Sequence, residues 1–211
     1  MTDTSYLAET AGAYDAVATQ YAEFVKGMLE RLPLDRAMIS AFAEYVRTRE
    51  AGPVLDAGCG PGYLTALLRA EGLDASGVDL SAAMVDLARR AHPGVRFEIG
   101  SIDALDTPDG GLAGIMAWYS LIHVPPRELG RYFGEFRRTL AAGGYLLLGF
   151  FESAGEPVTA FDHKVTTAYR WPIDDLAGLA GDAGFLEVGR VLREPVPGER
   201  FRHGHLLLRA G

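Results

Sequence analysis

The stretch that decides the fold class is Val54-Leu55-Asp56-Ala57-Gly58-Cys59-Gly60-Pro61-Gly62. Its first four residues form a short apolar run that is typical of a buried strand, and the glycines predict a tight turn into a helix. Glycine lets the backbone approach a ligand closely, and the first N–H groups of a helix are free to bind one. Three alternating glycines exceed what a plain turn requires, so we predict a ligand-binding loop at the carboxyl end of a strand.

On both sides of this loop, short apolar runs alternate with segments of helical periodicity. Strands are predicted at 54–57, 75–80, 95–99, 112–118, 145–151, 185–193 and 202–208. Helices are predicted at 63–70, from the N-cap Ser81 to 90, and at 127–140 and 174–183. This alternation predicts an α/β fold with a doubly wound, mainly parallel seven-stranded sheet. The last two strands have no helix between them, so we expect an antiparallel hairpin at the sheet edge.

The length of 211 residues suits one domain with three parts. Residues 1–50 show helical spacing interrupted by Pro33, and we expect them to form a helical lid or cap. Residues 51–151 are expected to form the binding core. Residues 152–211 are expected to supply an irregular segment over 152–171, long enough to be functional, and the last strands.

The charge of the chain argues against a nucleic-acid partner. Its formal net charge is −8, whereas a phosphate-binding protein usually carries a basic face. Four arginines do cluster, but their helical spacing favours a solvated helix face. They are Arg127, Arg131, Arg137 and Arg138.

The chain also lacks the sequence features of a secreted or membrane protein. Cys59 is its one cysteine, so no intrachain disulfide can form. Residues 1–5 show neither the basic nor the apolar part of a secretory signal, and the apolar stretch 145–151 is too short to span a bilayer. We therefore expect a cytoplasmic protein without a membrane partner.

The spacing of the glycines discriminates between cofactors. A dinucleotide-binding loop needs G-x-G-x-x-G, and its third glycine would fall at Tyr63. The glycines fall instead at 58, 60 and 62, after a strand that ends in an acidic residue. Residues 54–62 closely resemble the first motif of class I S-adenosylmethionine (SAM)-dependent methyltransferases, and the resemblance covers 50–150 strongly. It implies a Rossmann-like fold, SAM as cofactor and S-adenosylhomocysteine as product.

The resemblance also implies a set of cofactor-binding residues. Asp79, at the end of the second strand, would accept hydrogen bonds from both ribose hydroxyls. Leu80 and Met84 would pack on the adenine, although core packing of Met84 is nearly as well supported by its spacing. Gly100, Ser101 and Ile102 would hold the adenine edge, with Ser101 where many relatives have an acidic residue. The loop itself would contribute Asp56, Gly58, Cys59, Gly60, Gly62, Tyr63 and Leu64.

Aromatic residues and histidines supply the candidates for the reacting end of the site. Trp118 and Tyr119 follow the fourth strand, and their ring faces would attract a sulfonium cation, although aromatic core is an equal alternative. His123 could be a general base for the acceptor, or it could cap or pack a helix. His163 is a second candidate base, with an exposed loop histidine as the simpler reading.

The N-terminal segment from Tyr14 to Tyr21 resembles a lid helix of the same family. In that reading both tyrosines would point at the carboxylate or sulfonium of SAM, and the closed helix would exclude water. Their spacing suits simple packing equally well. His203 and His205 alternate on a predicted strand and could chelate a metal, but we predict no metal site.

These features together predict methyl transfer by an SN2 reaction to an O, N, S or C atom of a small-molecule metabolite. The chain lacks the Asn/Asp-Pro-Pro-Tyr signature that resembles enzymes acting on nucleobase or glutamine nitrogens. Two alternatives stay open, a SAM-binding regulatory module without catalysis and, less favoured, an NAD-dependent oxidoreductase. A monomer and a homodimer are both compatible with the sequence.

Overall fold

The computed structural model describes residues 5–48 and 52–211. Part of the segment used to exclude a secretory signal, residues 1–4, lies outside the described residues, as does the expected lid–core boundary at 50 and 51. The helices are α1 (Ser5–Val25), α2 (Pro33–Arg47), α3 (Tyr63–Ala70), α4 (Ala82–Ala91), α5 (Leu129–Thr139) and α6 (Ile173–Asp182). The strands are β1 (Pro53–Ala57), β2 (Asp74–Asp79), β3 (Phe97–Ile99), β4 (Leu112–Trp118), β5 (Leu140–Phe151), β6 (Thr159–Asp162), β7 (Thr167–Arg170), β8 (Phe185–Arg193) and β9 (His203–Ala210). None of the described helices is both long and apolar enough to cross a bilayer.

The main sheet has the predicted seven strands in the order β3-β2-β1-β4-β5-β9-β8. Strands β1 to β5 run parallel, and β9 runs antiparallel to both of its neighbours. The doubly wound α/β fold with a C-terminal antiparallel hairpin is therefore confirmed. Of the two hairpin strands, β8 forms the sheet edge and is buried only at its two ends, whereas β9 lies between β5 and β8 and is buried along almost its whole length.

Helices cover both faces of this sheet. On one face α5 and α6 pack through Phe133, Phe136 and Leu176 against Leu146 and its neighbours. On the other face α2 and α3 contribute a second buried cluster, in which Phe42 and Leu68 lie with Leu147. Both faces of the central strands β1, β4 and β5 are thus largely buried, which explains their apolar sequences.

Two predictions about local structure are wrong. Strand β5 begins at Leu140, not at 145, because Leu140 is buried and pairs with Leu112 before a register shift. The segment 152–171 is also not irregular, since β6 and β7 form a two-stranded antiparallel sheet. This β6–β7 hairpin is tied to the main domain by the Tyr169 N–H, which donates to the Ile122 carbonyl at 2.8 Å. Strands of four residues carry too little periodicity to be recognised in sequence.

The arginines of α5 do more than solvate a helix face. Arg131 forms an ion pair with Asp103. Arg138 pairs with Asp109 at 2.7 Å and with Glu135 at 2.8 Å. These contacts hold the 103–109 loop against α5. Acidic residues of the same chain therefore neutralise part of the positive charge of the arginine cluster.

Candidate active site

A cavity of about 610 Å³, including its open mouth, lies at the carboxyl ends of β1, β2 and β4. This is where ligands bind in doubly wound sheets. Its wall contains eleven of the residues predicted from sequence. They are Tyr14, Tyr21, Gly58, Gly60, Asp79, Leu80, Met84, Ile102, Trp118, Tyr119 and His123.

Helix α1, which we predicted to be a lid, lines this cavity, and side chains at separate points hold it there. Near its start, the Tyr6 and Tyr132 hydroxyls are 2.7 Å apart. Farther along, one Asp15 carboxylate oxygen accepts hydrogen bonds from Ser81 Oγ at 2.6 Å and from the Ala83 N–H at 3.0 Å. Asp15 therefore acts as a negative cap on the N-terminus of α4, where such a charge is favourable.

The glycine loop brings backbone, not side chains, to the cavity. The Gly58 and Cys59 N–H groups both donate to the Val78 carbonyl, at 2.8 and 3.0 Å, which fixes the turn. Gly58 has a φ of +79°, and a Cβ there would lie 2.3 Å from Ser120 Cβ, so only glycine fits. A Cβ at Gly60 would meet only a Tyr21 ring atom at 3.9 Å, which leaves the Gly60 backbone open to a ligand.

Asp79 is the charged centre of this wall. Its two carboxylate oxygens accept the N–H groups of Gly60 at 2.8 Å and Ser81 at 2.9 Å. Burial raises the pKa of Asp79, and these backbone hydrogen bonds oppose the rise. Each oxygen keeps a further lone pair, so the side chain can also accept hydrogen bonds from a vicinal diol.

Ser120 provides a direct indication that the cavity takes a polar ligand. Its hydroxyl is buried in the cavity wall and has no hydrogen-bond partner among the described residues. An unsatisfied buried hydroxyl is costly unless a ligand or water satisfies it. The residues present therefore fit a ligand with hydrogen-bonding groups, a sugar and apolar parts, as SAM has.

Sequence reasoning missed four residues of the wall. They are Thr10, Ala11, Ser81 and Ser120. Thr10 and Ala11 precede Tyr14 by four and three positions, so helical spacing from a residue already predicted would have found them. Ser81 was recognised only as the N-cap of α4, a role the structure confirms through the Met84 N–H at 3.1 Å.

His123 and Tyr14 join the lid to the body of the site. The Tyr14 hydroxyl lies 2.9 Å from His123 Nε2, and His123 Nδ1 lies 2.8 Å from the Thr167 carbonyl oxygen. His123 is only 7% exposed, and burial lowers its pKa, so the ring is neutral near pH 7. His123 thus contacts α1 on one side and the β6–β7 hairpin on the other.

His163 lies behind His123, outside the cavity wall. The two ring centroids are 5.2 Å apart, and Phe151 is 5.7 Å from His163. Burial, with a smaller contribution from His123, lowers the pKa of His163 to about 4. The reading of His163 as a plain exposed loop histidine is therefore wrong, while its role as a base stays a prediction.

Trp118 and Tyr119 serve both as cavity wall and as packed aromatic residues. The Trp118 ring stacks on His205 at 4.6 Å between centroids. It also covers Gly149, where a Cβ would lie 2.9 Å from the indole. Tyr119 has a φ of +58°, and its hydroxyl bonds to His203 Nδ1. The sequence left open whether these rings contact a sulfonium cation or pack in an aromatic core, and the two alternatives are thus compatible.

A buried network of charged groups supports these two aromatic residues. Arg193 binds Asp35 at 2.7 Å and both carboxylate oxygens of Glu199, at 2.6 and 2.9 Å. Glu199 faces His203 at 3.3 Å, and Asp35 faces His205 at 3.7 Å. Within the described ranges, no group of three or more His, Cys, Asp or Glu side chains is arranged to hold a metal ion.

Several predicted cofactor residues lie outside the cavity wall, because their side chains build the loop from beneath. Asp56 accepts a hydrogen bond from the Thr65 hydroxyl at 2.6 Å, and burial raises its pKa to about 7. Cys59 packs with Phe97 and Ala88. A Cβ at Gly62 would lie 2.7 Å from the Phe97 ring, so this glycine permits close packing.

The remaining predicted residues behave similarly. Tyr63 and Leu64, on α3, belong to the apolar cluster beneath α2. The Ser101 hydroxyl donates to the Asp103 carboxylate and keeps lone pairs that can accept from an amine. Neither Ser101 nor Gly100 lines the cavity, and their contact with the adenine edge stays a prediction. Ile102 alone of this segment lines the cavity.

Comparisons with known proteins agree with this geometry. Residues 54–144 match a family described as "Methyltransferase domain". The chain is 30% identical over 132 residues to a malonyl-[acyl-carrier protein] O-methyltransferase of Erwinia billingiae, a match that spans 63% of the chain and 52% of that protein. It is 29% identical over 145 residues to a demethylmenaquinone methyltransferase of Beutenbergia cavernae, over 69% of the chain and 59% of the relative. The chain thus spans little more than half the length of these curated relatives.

Among solved structures, the chain is similar to the 1,6-didemethyltoxoflavin-N1-methyltransferase of Burkholderia thailandensis. That structure contains bound 1,6-didemethyltoxoflavin and S-adenosylhomocysteine. The two share 25% identity with a TM-score of 0.67, over 95% of this chain and 90% of the other. The methyltransferase-domain match and this similarity to a methyltransferase with bound S-adenosylhomocysteine confirm the resemblance drawn from the glycine loop.

Proposed function

We propose that this protein transfers the methyl group of SAM to a small-molecule acceptor. The observation that carries the proposal is the juxtaposition, in one cavity lined also by α1, of the glycine loop, the buried Asp79 carboxylate and the Ser120 hydroxyl, which has no hydrogen-bond partner among the described residues. An NAD-dependent oxidoreductase would need a different glycine spacing. A regulatory module without catalysis would bind SAM as the proposed enzyme does and would differ from it only in forming no methylated product.

Each part of the wall has a physical role in holding SAM. Asp79 would accept the ribose hydroxyls, Leu80, Met84 and Ile102 would enclose the adenine, and the Gly60 backbone would lie against the methionine part. When bound, SAM supplies a methyl group activated by a positive sulfur. The ring faces of Trp118 and Tyr119 attract such a cation, and the buried network behind them keeps both rings in place.

The lid contributes by excluding water and by fixing the acceptor. Helix α1 lines the cavity through Thr10, Ala11, Tyr14 and Tyr21, and His123, which the β6–β7 hairpin holds through the Thr167 carbonyl, lines another part of it. Orientation in a dry pocket can supply most of the rate enhancement of a methyl transfer. The acceptor side is aromatic and small, which favours a metabolite.

The relatives act on different molecules, so their names define only a class. Malonyl-[acyl-carrier protein], demethylmenaquinone and 1,6-didemethyltoxoflavin are named for those proteins. For this chain we propose a small-molecule acceptor and no nucleic acid, which the net charge of −8 supports. A single cytoplasmic domain that is a monomer or a homodimer completes the proposal.

Isothermal titration with S-adenosylhomocysteine, with NADH as the comparison ligand, tests the cofactor. Asp79→Ala should weaken S-adenosylhomocysteine binding by about tenfold or more, because hydrogen bonds to a charged group contribute about 1.5–3 kcal/mol. Asp86→Ala, an exposed change on α4, is the matched control and should bind normally. Absence of S-adenosylhomocysteine binding to the unmodified protein would refute the proposal. Binding without product in an acceptor panel would favour the regulatory module.

A further inference from the structure

The hydrogen bonds around His123 fix which of its nitrogens carries the proton. Nδ1 lies 2.8 Å from the Thr167 carbonyl oxygen, which can only accept, so Nδ1 carries the hydrogen. In the neutral ring Nε2 is then an acceptor. Its partner at 2.9 Å is the Tyr14 hydroxyl, which must donate. The nitrogen that a general base would use is thus directed at Tyr14.

This arrangement changes the role expected of His123. An acceptor in the cavity cannot reach Nε2 without displacing the Tyr14 hydroxyl, whereas Tyr14 itself lines the cavity. Once its hydrogen is donated to His123, the phenol oxygen still has lone pairs that can accept a hydrogen bond from an acceptor hydroxyl. The Tyr14 oxygen is therefore the atom that an acceptor meets.

We propose that Tyr14, on the lid helix, is a catalytic residue that passes the proton of the acceptor to His123. This proposal rests on the proposed methyltransferase function and applies to acceptors that must lose a proton. As the acceptor oxygen bonds to the methyl group, its O–H bond breaks and that proton bonds to the Tyr14 oxygen. The original Tyr14 O–H bond breaks in the same step, and its proton bonds to His123 Nε2.

The charges balance in this step. The positive charge on sulfur disappears when the S–CH₃ bond breaks, and one positive charge appears on the His123 imidazolium. The Thr167 carbonyl stabilises that imidazolium by accepting from Nδ1. Tyr14 starts and ends neutral, so it needs no low pKa. This suits its environment, because burial raises the pKa of Tyr14 well above its usual value.

The ionisable groups around the pair leave this step undisturbed. Tyr21 packs on Tyr14 with ring centroids 5.5 Å apart, and burial raises its pKa to about 12. His163 faces His123 and is neutral near pH 7. A negative charge on Asp79, which also lines the cavity, disfavours ionisation of Tyr14. His123 is thus the group of this cluster best able to take up a proton.

The arrangement also ties the base to lid closure. Tyr14 sits on α1 and His123 on the body, so the relay exists only while the lid is closed over the cofactor. Asp15, the next residue, holds that stretch of α1 to Ser81 and Ala83. Removing the Tyr14 hydroxyl alone leaves this anchor and both ring contacts of Tyr14 in place. Tyr14→Phe therefore isolates the proton path from the lid.

Nitrogen NMR of histidine-labelled protein, free and with S-adenosylhomocysteine, tests the hydrogen bonds without an acceptor. We expect His123 to be neutral with its proton on Nδ1, and the Nε2 resonance to move in Tyr14→Phe. Tyr45→Phe, which removes a half-exposed hydroxyl on α2, should leave it unchanged. A proton on Nε2, or a His123 signal indifferent to Tyr14→Phe, would overturn the relay while leaving the proposed function intact.

Activity on two classes of methyl acceptor distinguishes a proton relay from a Tyr14–His123 contact that only holds α1 in place. The probes are 4-methylphenol, which must lose its proton, and benzoate, which is already ionised. Tyr14→Phe should slow methylation of the phenol by about a hundredfold or more, the usual contribution of general base catalysis, and should slow that of benzoate far less, because benzoate has no proton to pass on. Equal losses of methylation rate with both acceptors would show that the contact only holds α1 in place, and would refute the relay. If the unmodified protein does not bind S-adenosylhomocysteine, the proposed function itself is refuted.

Discussion

Replacing Asp15 by Ala should open the lid without touching the cofactor site directly. The Asp15 carboxylate is exposed on α1, and its hydrogen bonds to Ser81 Oγ and to the Ala83 N–H join the lid to α4. Alanine keeps the helix intact, because it has the highest helix propensity. The substitution therefore removes the anchor and little else.

The structure sets the size of the effect. A side-chain cap on a helix N-terminus contributes about 1 kcal/mol, and hydrogen bonds to a charged group about 1.5–3 kcal/mol. Because the Asp15 carboxylate is exposed to solvent, we take about 1–2 kcal/mol for the whole anchor. If only the closed lid binds cofactor tightly, this becomes a loss of about 5- to 30-fold in affinity, since about 1.4 kcal/mol is a factor of ten.

Two measurements read out the effect separately. Titration with S-adenosylhomocysteine gives the affinity, and hydrogen exchange followed by mass spectrometry gives the opening of α1, with α6 as an internal reference. Asp15→Asn is the matched variant, because it keeps an acceptor oxygen and loses only the charge. We expect it to lie between the unmodified protein and Asp15→Ala in both measurements.

Three results would refute this reasoning. Unchanged affinity with faster exchange of α1 would show that the lid does not contribute to cofactor binding. Unchanged exchange would show that Asp15 is not the anchor. A loss of affinity accompanied by faster exchange of α6 would show general destabilisation of the fold.

Two further substitutions test the loop and its support. Gly58→Ala should destabilise the fold by about 2–4 kcal/mol, because a Cβ would lie 2.3 Å from Ser120 Cβ in a backbone of positive φ. Gly72→Ala is the matched control, because φ there is +86° and the space is open, and it should lower the free energy of unfolding in urea by only about 1 kcal/mol. Equal losses of stability in the two variants would refute the clash with Ser120. Burial raises the pKa of Asp56 from 3.8 to about 7, so the native protein keeps that proton longer than the unfolded chain and loses stability between about pH 4 and pH 7. Asp56→Asn should not show this loss. We expect the variant to gain at most about 4 kcal/mol of stability relative to the unmodified protein at pH 8, and little at pH 4. A difference in stability that does not depend on pH would refute this explanation.

The fold was predictable because its signals are local. The apolar run before Gly58, the alternation of strands with helices and the missing helix between the last two strands define the sheet, its direction and its hairpin. The β6–β7 hairpin was not predictable, since four-residue strands have no periodicity of their own. Here the Ile122 carbonyl accepts a hydrogen bond from the Tyr169 N–H of β7, and the Phe151 carbonyl accepts one from the N–H of Trp171, the residue after β7.

The sequence by itself determined the cofactor loop, Asp79, the lid helix and the two histidines as candidates, because each is marked by residue type and spacing. Only the tertiary structure decided which side chains face the cavity, since facing depends on packing between elements far apart in the chain. It directed Asp56 and Cys59 into the core and left the Ser120 hydroxyl without a hydrogen-bond partner in the described part of the chain. It also placed the Tyr14 hydroxyl on His123, a contact across 109 positions that no local pattern encodes.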